Sequence, residues 1–295
     1  MVTIENEHLV VQIKLKGAEI ASIQDKETGH EYIWQADPAY WNRHSPVLFP
    51  IVGSLKDGQM VFAGETYEMS RHGFARDMEF TLQNQTDVSA SFYLKSSATT
   101  LEKYPFEFSF QINYILQGNT VTVSYEVLNP SSETALYYSV GAHPAFNVSQ
   151  DEATEEFDRV SLEFIPEGPY SRLPLTEDGL INATASKYER MDKTYLTHDD
   201  FKDDALVYQV NQKTEMVLRD EPAGVTINVN PSHMEFVGIW SPYPKRAPFV
   251  CIEPWTGIAD TTQASGEFAE KYSILQLAPN DLATHGYTMT FTKDV

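Results

Sequence analysis

A single cysteine, Cys251, is present in this chain of 295 residues, which excludes an internal disulfide. Its flanks in "PFVCIEPW" are apolar, so it reads as a small buried hydrophobe rather than a reactive thiol. Positive charge is scarce too: 21 Lys and Arg stand against 42 Asp and Glu, a formal net charge of −21. A field of that sign repels nucleic acid phosphates and anionic lipid headgroups, and neither is expected as a partner. No apolar run approaches the roughly 18 residues that a membrane helix needs. The opening "MVTIENEHLV" lacks the basic and then apolar order of a secretory leader. A soluble cytoplasmic protein is the expectation. None of the eight histidines has an i, i+4 histidine neighbour or a cysteine pair, so the spacing of a zinc site is missing and no metal is expected. There is no long amphipathic helix, internal repeat or compositional linker, and we expect one domain over 1–295.

What the chain does contain is alternation with period two. In "VSASFYLK" Val88, Ala90, Phe92 and Leu94 alternate with polar neighbours, the mark of a half-buried strand. "FEFSFQINYIL" sets Phe106, Phe108, Phe110, Ile112 and Tyr114 on one face, and after "QGN" a second run presents Val121, Val123, Tyr125 and Val127, which predicts a β-hairpin. Further strands are predicted over 9–15, 17–24, 78–84, 135–141, 160–165, 205–210, 224–230, 235–240, 248–253, 271–277 and 286–292, with short helical turns near 98–104 and 197–202. The stretch 166–204, rich in Pro and Gly and without alternation, reads as a long surface excursion. So many short strands predict an all-β protein, either two packed antiparallel sheets or a closed barrel.

Three polar residues fit a plain sandwich poorly. Glu253 ends an apolar strand in "PFVCIEPWTG", and a carboxylate desolvated there has its pKa raised toward the range useful to a general base. His143, in "SVGAHPAF", stands where Pro144 forces the chain out of its ladder, so its imidazole can face a concave surface or simply bond a nearby carbonyl. His72, in "SRHGFARD", lies between Arg71 and Arg76 and on its own reads as structural. Aromatic residues cluster as well: Trp41, Trp240, Tyr243 and Trp255 can build either core or the stacking wall of a sugar site.

Taken together, "LFPIVG", "HGFARD", "GAHPAF" and "FVCIEPWTG" give the chain a resemblance to the galactose mutarotase-like family of aldose 1-epimerases. His143 follows His72 by 71 residues, and Glu253 follows by 110 more. The resemblance implies a large antiparallel β-sandwich with an open concave face and a cofactor-free interconversion of the α and β anomers of an aldose. It assigns Glu253 as the base on the O1 hydroxyl, His143 as the acid on the ring oxygen O5, and His72 as a second donor to that oxygen. On these assignments His143 must start protonated and so needs a nearby carboxylate or carbonyl. The resemblance also implies Asp204 as the sugar-binding carboxylate and Trp240 as a stacking wall. Where relatives commonly carry Arg after "FPxVG" this chain has Ser54, which leaves Lys56, Arg71 or Arg76 to supply the cation. Three activities are compatible with these residues: a free-aldohexose mutarotase, a hexose-6-phosphate 1-epimerase with Arg76 on the phosphate, and a silent carbohydrate-binding module.

Overall fold

The structure is a computed structural model that describes residues 1–294. Two large antiparallel sheets dominate it. The nine-stranded sheet runs in the order 194–195, 160–165, 215–220, 225–230, 282–293, 120–128, 109–117, 89–95 and 81–85. The eight-stranded sheet runs 187–191, 168–172, 206–209, 236–240, 249–255, 141–142 and 47–48, with 145–147 also pairing on 249–255. The predicted hairpin forms the middle of the first sheet: Thr120–Leu128 pairs along its whole length with Ser109–Gln117. Its alternate residues Val121, Val123, Tyr125 and Val127 are buried between the sheets, the burial that drives two such sheets together. A three-stranded sheet of Val2–Glu5, Leu9–Ile13 and Ile20–Asp25 adds Ile4, Val11 and Ile23 to the same core. The fold is therefore the sandwich the sequence predicts. Among the described residues no helix is long and apolar enough to cross a membrane.

Several expectations are corrected. The stretch 166–204 is no plain excursion: Gly168–Arg172 and Lys187–Met191 pair with each other, and the first also pairs with Leu206–Gln209, extending the eight-stranded sheet. They lie at one end of the sheet, with Lys187–Met191 as its edge, and their residues are mostly half-exposed or exposed, so they need no apolar alternation. The predicted strand 135–141 is split, since Leu136–Tyr138 pairs with Leu275–Leu277 while Gly141–Ala142 joins the eight-stranded sheet. Of 271–277 only Leu275–Leu277 is strand. Lys271 instead turns inward, where its Nζ donates to the Ile258 carbonyl at 2.6 Å and lies 3.3 Å from Asp260. Strand Glu215–Asp220 was not foreseen, because Met216, Val217 and Leu218 are all buried and leave no period to read.

The site is positioned by one strand. Phe249–Trp255 is buried along its whole length. Val250 and Ile252 point into the inter-sheet core, so period two sends Phe249, Cys251, Glu253 and Trp255 to the opposite, concave face.

Candidate active site

His143 reaches Glu253 through sheet register. Gly141 pairs with Trp255 and Ala145 with Cys251. The same register puts His143 directly across from Glu253, in the gap where Pro144 cannot donate to the ladder. Cross-strand partners share a face, and here Nε2 of His143 lies 3.1 Å from an Oε of Glu253. The two strands are clamped just beyond, where Thr256 donates its backbone N–H and its hydroxyl to the Val140 carbonyl and accepts the Val140 N–H. Trp255 lies flat over its neighbours, and a Cβ at Gly141 or Gly238 would come within 2.5 Å or 2.4 Å of its ring.

His72 arrives from a turn with left-handed backbone at His72 (φ 69°) and Gly73 (φ 71°). Its N–H donates to the Gly53 carbonyl at 2.9 Å, and the Gly53 N–H donates back to Nδ1 at 3.1 Å. Because Nδ1 accepts, the ring is neutral with its hydrogen on Nε2, and Nε2–H is the donor left for the pocket. Gly53 is required by this arrangement: its φ is 74°, and a Cβ would lie 2.6 Å from Ala259.

His72, His143 and Glu253 share one pocket of about 180 Å³ with Trp41, Trp240 and Trp255, and with Arg71, Arg76 and Asp204 toward its mouth. The indole of Trp41 stacks on the His143 ring with centroids 4.8 Å apart, and Trp240 meets the same imidazole edge-on at 5.6 Å. Asp204 Oδ2 accepts from Arg71 Nη2 at 2.8 Å. Arg76 Nη2 donates to the Arg71 carbonyl at 2.6 Å, bracing the turn that carries His72. The structure turns Lys56 away from this pocket, its Nζ donating to the Ala264 carbonyl at 3.2 Å. Of the three cations weighed against Ser54, Arg71 lies close to it, both side chains flanking Gly179: a Cβ there would sit 3.2 Å from Ser54 Oγ and 3.5 Å from the Arg71 guanidinium carbon.

Burial sets the protonation of the site. It pushes the His143 imidazole down to about 3, with Arg76, Arg71 and Arg43 adding to the effect. It pushes the Glu253 carboxyl well above the usual range, which Arg71 opposes and Asp204 reinforces. The His72 ring is held well below its ordinary value by burial, then by His143 and the arginines. A carboxylate therefore stands beside His143 as the sequence requires, yet the imidazole is not held protonated at rest. The 3.1 Å contact has the geometry of an ion pair, but burial penalises both charged forms. Burial thus favours the neutral imidazole and the protonated carboxyl.

Two contributors were not singled out from sequence. Trp41 appeared only as one aromatic among several, and its place over His143 is a tertiary fact. Glu19, buried, accepts from the backbone N–H groups of His44 and Ser45 at 2.8 and 3.1 Å and so anchors the loop that follows Trp41. Cys251 is buried as expected, and burial raises its thiol pKa. Its sulfur and the ligand atoms of His143 and Glu253 lie within 4.8 Å of one another. A thiol kept protonated beside an imidazole and a carboxyl already facing each other fits a metal poorly.

The architecture is that of the galactose mutarotase-like sandwiches. The aldose 1-epimerase family model matches residues 1–276, and the chain belongs to that family. It is 32% identical to the chromosomal protein LacX of Lactococcus lactis subsp. lactis over 98% of both chains. Among solved structures, a galactose mutarotase related enzyme from Lactobacillus acidophilus is 38% identical with a TM-score of 0.95, covering 99% of this chain and 97% of the other. A galactose mutarotase-like protein from Lactobacillus casei ATCC 334 is 30% identical with a TM-score of 0.91, covering 99% and 100%.

Proposed function

We propose that this protein is a mutarotase for a free aldohexose, with Glu253 and His143 as its general base and acid. The observation that carries the reading is the buried 3.1 Å contact between them at the floor of an indole-walled pocket. Mutarotation consumes no net proton. One leaves the O1 hydroxyl, one arrives on O5, and the C1–O5 bond breaks to give the open-chain aldehyde. A pair that shares a single proton matches that requirement. Moving this proton from the carboxyl to the imidazole arms the site: Glu253 then takes the O1 proton while His143 delivers its own to O5. After rotation about C1–C2, His143 takes the O5 proton back and Glu253 returns the other to the carbonyl oxygen, closing the second anomer. Nε2–H of His72 supports the negative charge developing on the ring oxygen without itself changing protonation.

The cations support a free sugar over a 6-phosphate. Arg71 is engaged by Asp204 and Arg76 by the Arg71 carbonyl, which leaves neither as an uncommitted phosphate fork. The test is exchange spectroscopy on the anomeric protons of free and phosphorylated aldohexoses. Accelerated α/β exchange of glucose or galactose is expected. Exchange at the spontaneous rate for every sugar would defeat the reading.

A further inference from the structure

One buried charge pair takes no part in the proton transfers. The side chains of Lys271 and Asp260 are only 2% and 6% exposed, and Nζ lies 3.3 Å from Oδ1. Nζ also donates to the Ile258 carbonyl at 2.6 Å. Burial pushes the Lys271 ammonium down, and Asp260 opposes that shift. Two charges withdrawn from water are costly to keep, and an apolar pair of similar volume commonly serves stability as well. Their contacts show what they hold.

Asp260 fastens a second segment to its own. Its Oδ2 accepts the Lys56 N–H at 2.9 Å, and its own N–H donates to the Ser54 carbonyl at 2.9 Å. Residues 53–56 are thereby tied along 258–260, which Lys271 grips at both ends, by the Ile258 carbonyl and by the Asp260 carboxylate. Between those grips lies Ala259, on which Gly53 packs so closely that a Cβ would come within 2.6 Å. Gly53 in turn donates its N–H to Nδ1 of His72 at 3.1 Å and accepts the His72 N–H at 2.9 Å. Contacts therefore run without a gap from the Lys271 ammonium to the His72 ring. Lys271 itself is no part of the catalytic pocket; it lines a separate one with Thr261, Phe268 and Tyr272.

We infer that Lys271 is a positioning residue for the donor to the ring oxygen: through Asp260 and Ala259 it seats Gly53, and so keeps His72 in the tautomer that turns Nε2–H to the sugar. Without the Gly53 N–H, Nδ1 is free to carry the hydrogen. Nε2 then becomes an acceptor and opposes the negative charge growing on O5. The consequence for rate rests on the mutarotase reading, whereas the tautomer is read with no sugar present.

The test compares the wild type with Lys271→Met and Asp260→Asn. The first leaves a buried carboxylate without its cation. The second keeps the shape, but whichever way the amide turns, its NH2 meets a donor, either Lys271 Nζ or the Lys56 N–H. Two-bond ¹H–¹⁵N spectra of the histidine rings report the tautomer, with the His72 signals identified by their loss in His72→Gln, and near-UV circular dichroism reports the fold. The wild type is expected to show His72 with an unprotonated Nδ1. In both variants that Nδ1 signal is expected to move toward a protonated nitrogen, and kcat for anomeric exchange to fall about tenfold with KM nearly unchanged. If Lys271→Met does not fold, Asp260→Asn carries the comparison. A folded variant that keeps the wild-type His72 signals overturns the inference, whatever its kcat, and so does a wild type whose His72 carries its hydrogen on Nδ1. A His72 signal that moves in the variants of a protein exchanging no sugar upholds the link from Lys271 to His72 and overturns the mutarotase reading instead.

Discussion

Nε2 of His143 and a carboxyl oxygen of Glu253 stand 3.1 Å apart because sheet register sets the two residues across from each other, with Pro144 interrupting the ladder between them. The imidazole is pushed down to about 3 and the carboxyl is pushed up, both chiefly by burial, which favours a neutral imidazole beside a protonated carboxyl.

The pH profile follows from that sign. A second proton is bound only as pH falls toward the lowered value of the imidazole, and the single proton is lost only above the raised value of the carboxyl. The rate of anomer exchange is expected to stay level as pH falls from neutrality through the ordinary histidine range to about pH 5. An inflection near 6.5, the ordinary value of a histidine, would show that His143 titrates alone and in contact with solvent.

Arg76 distinguishes bracing from phosphate binding. Its Nη2 holds the Arg71 carbonyl, and its Nε lies 3.9 Å from Asp77. Arg76→Ala is therefore expected to lower kcat for any sugar the enzyme turns over by about tenfold, as expected when the His72 donor is slightly displaced. A rise in KM confined to hexose 6-phosphates would assign Arg76 to the phosphate instead.

Much of this site was legible in the sequence. Glu253 stood out because a carboxylate broke an apolar strand, and His143 because a proline followed it at a strand end. Asp204 and Trp240 also line the pocket, and Arg71 lies with them at its mouth. Lys56 was misplaced since nothing local reveals that its ammonium is taken by the Ala264 carbonyl, contributed by a segment more than 200 residues away. Trp41 could not be told from core aromatics, because its position depends on the loop that Glu19 anchors. In the fold, the alternating strands of the nine-stranded sheet were readable, whereas the edge pair 168–172 and 187–191 lacked the period that half-burial imposes.

Glu253 should cost the protein stability at high pH. Its unfolded carboxyl ionises near 4.5, while the folded one is raised well above that value. The stability it contributes is complete below 4.5 and is lost as pH rises toward the folded value. Glu253→Gln removes this dependence, so the Tm of the variant minus that of the wild type is expected to grow between pH 4 and pH 8. A constant difference would mean that the carboxyl ionises freely in the folded protein.

The most direct measurement is α/β exchange in Glu253→Gln at neutral pH, read from the anomeric protons, with sugar binding followed in the same sample by the shifts of the tryptophan indole signals. The amide preserves the shape of the pocket but cannot accept the O1 proton. Binding is expected to persist while exchange falls by about a hundredfold or more, the usual contribution of a general acid–base group. Exchange within about fivefold of the wild type would contradict the account, since Glu253 would then be a buried structural carboxyl and the proton would travel by another route.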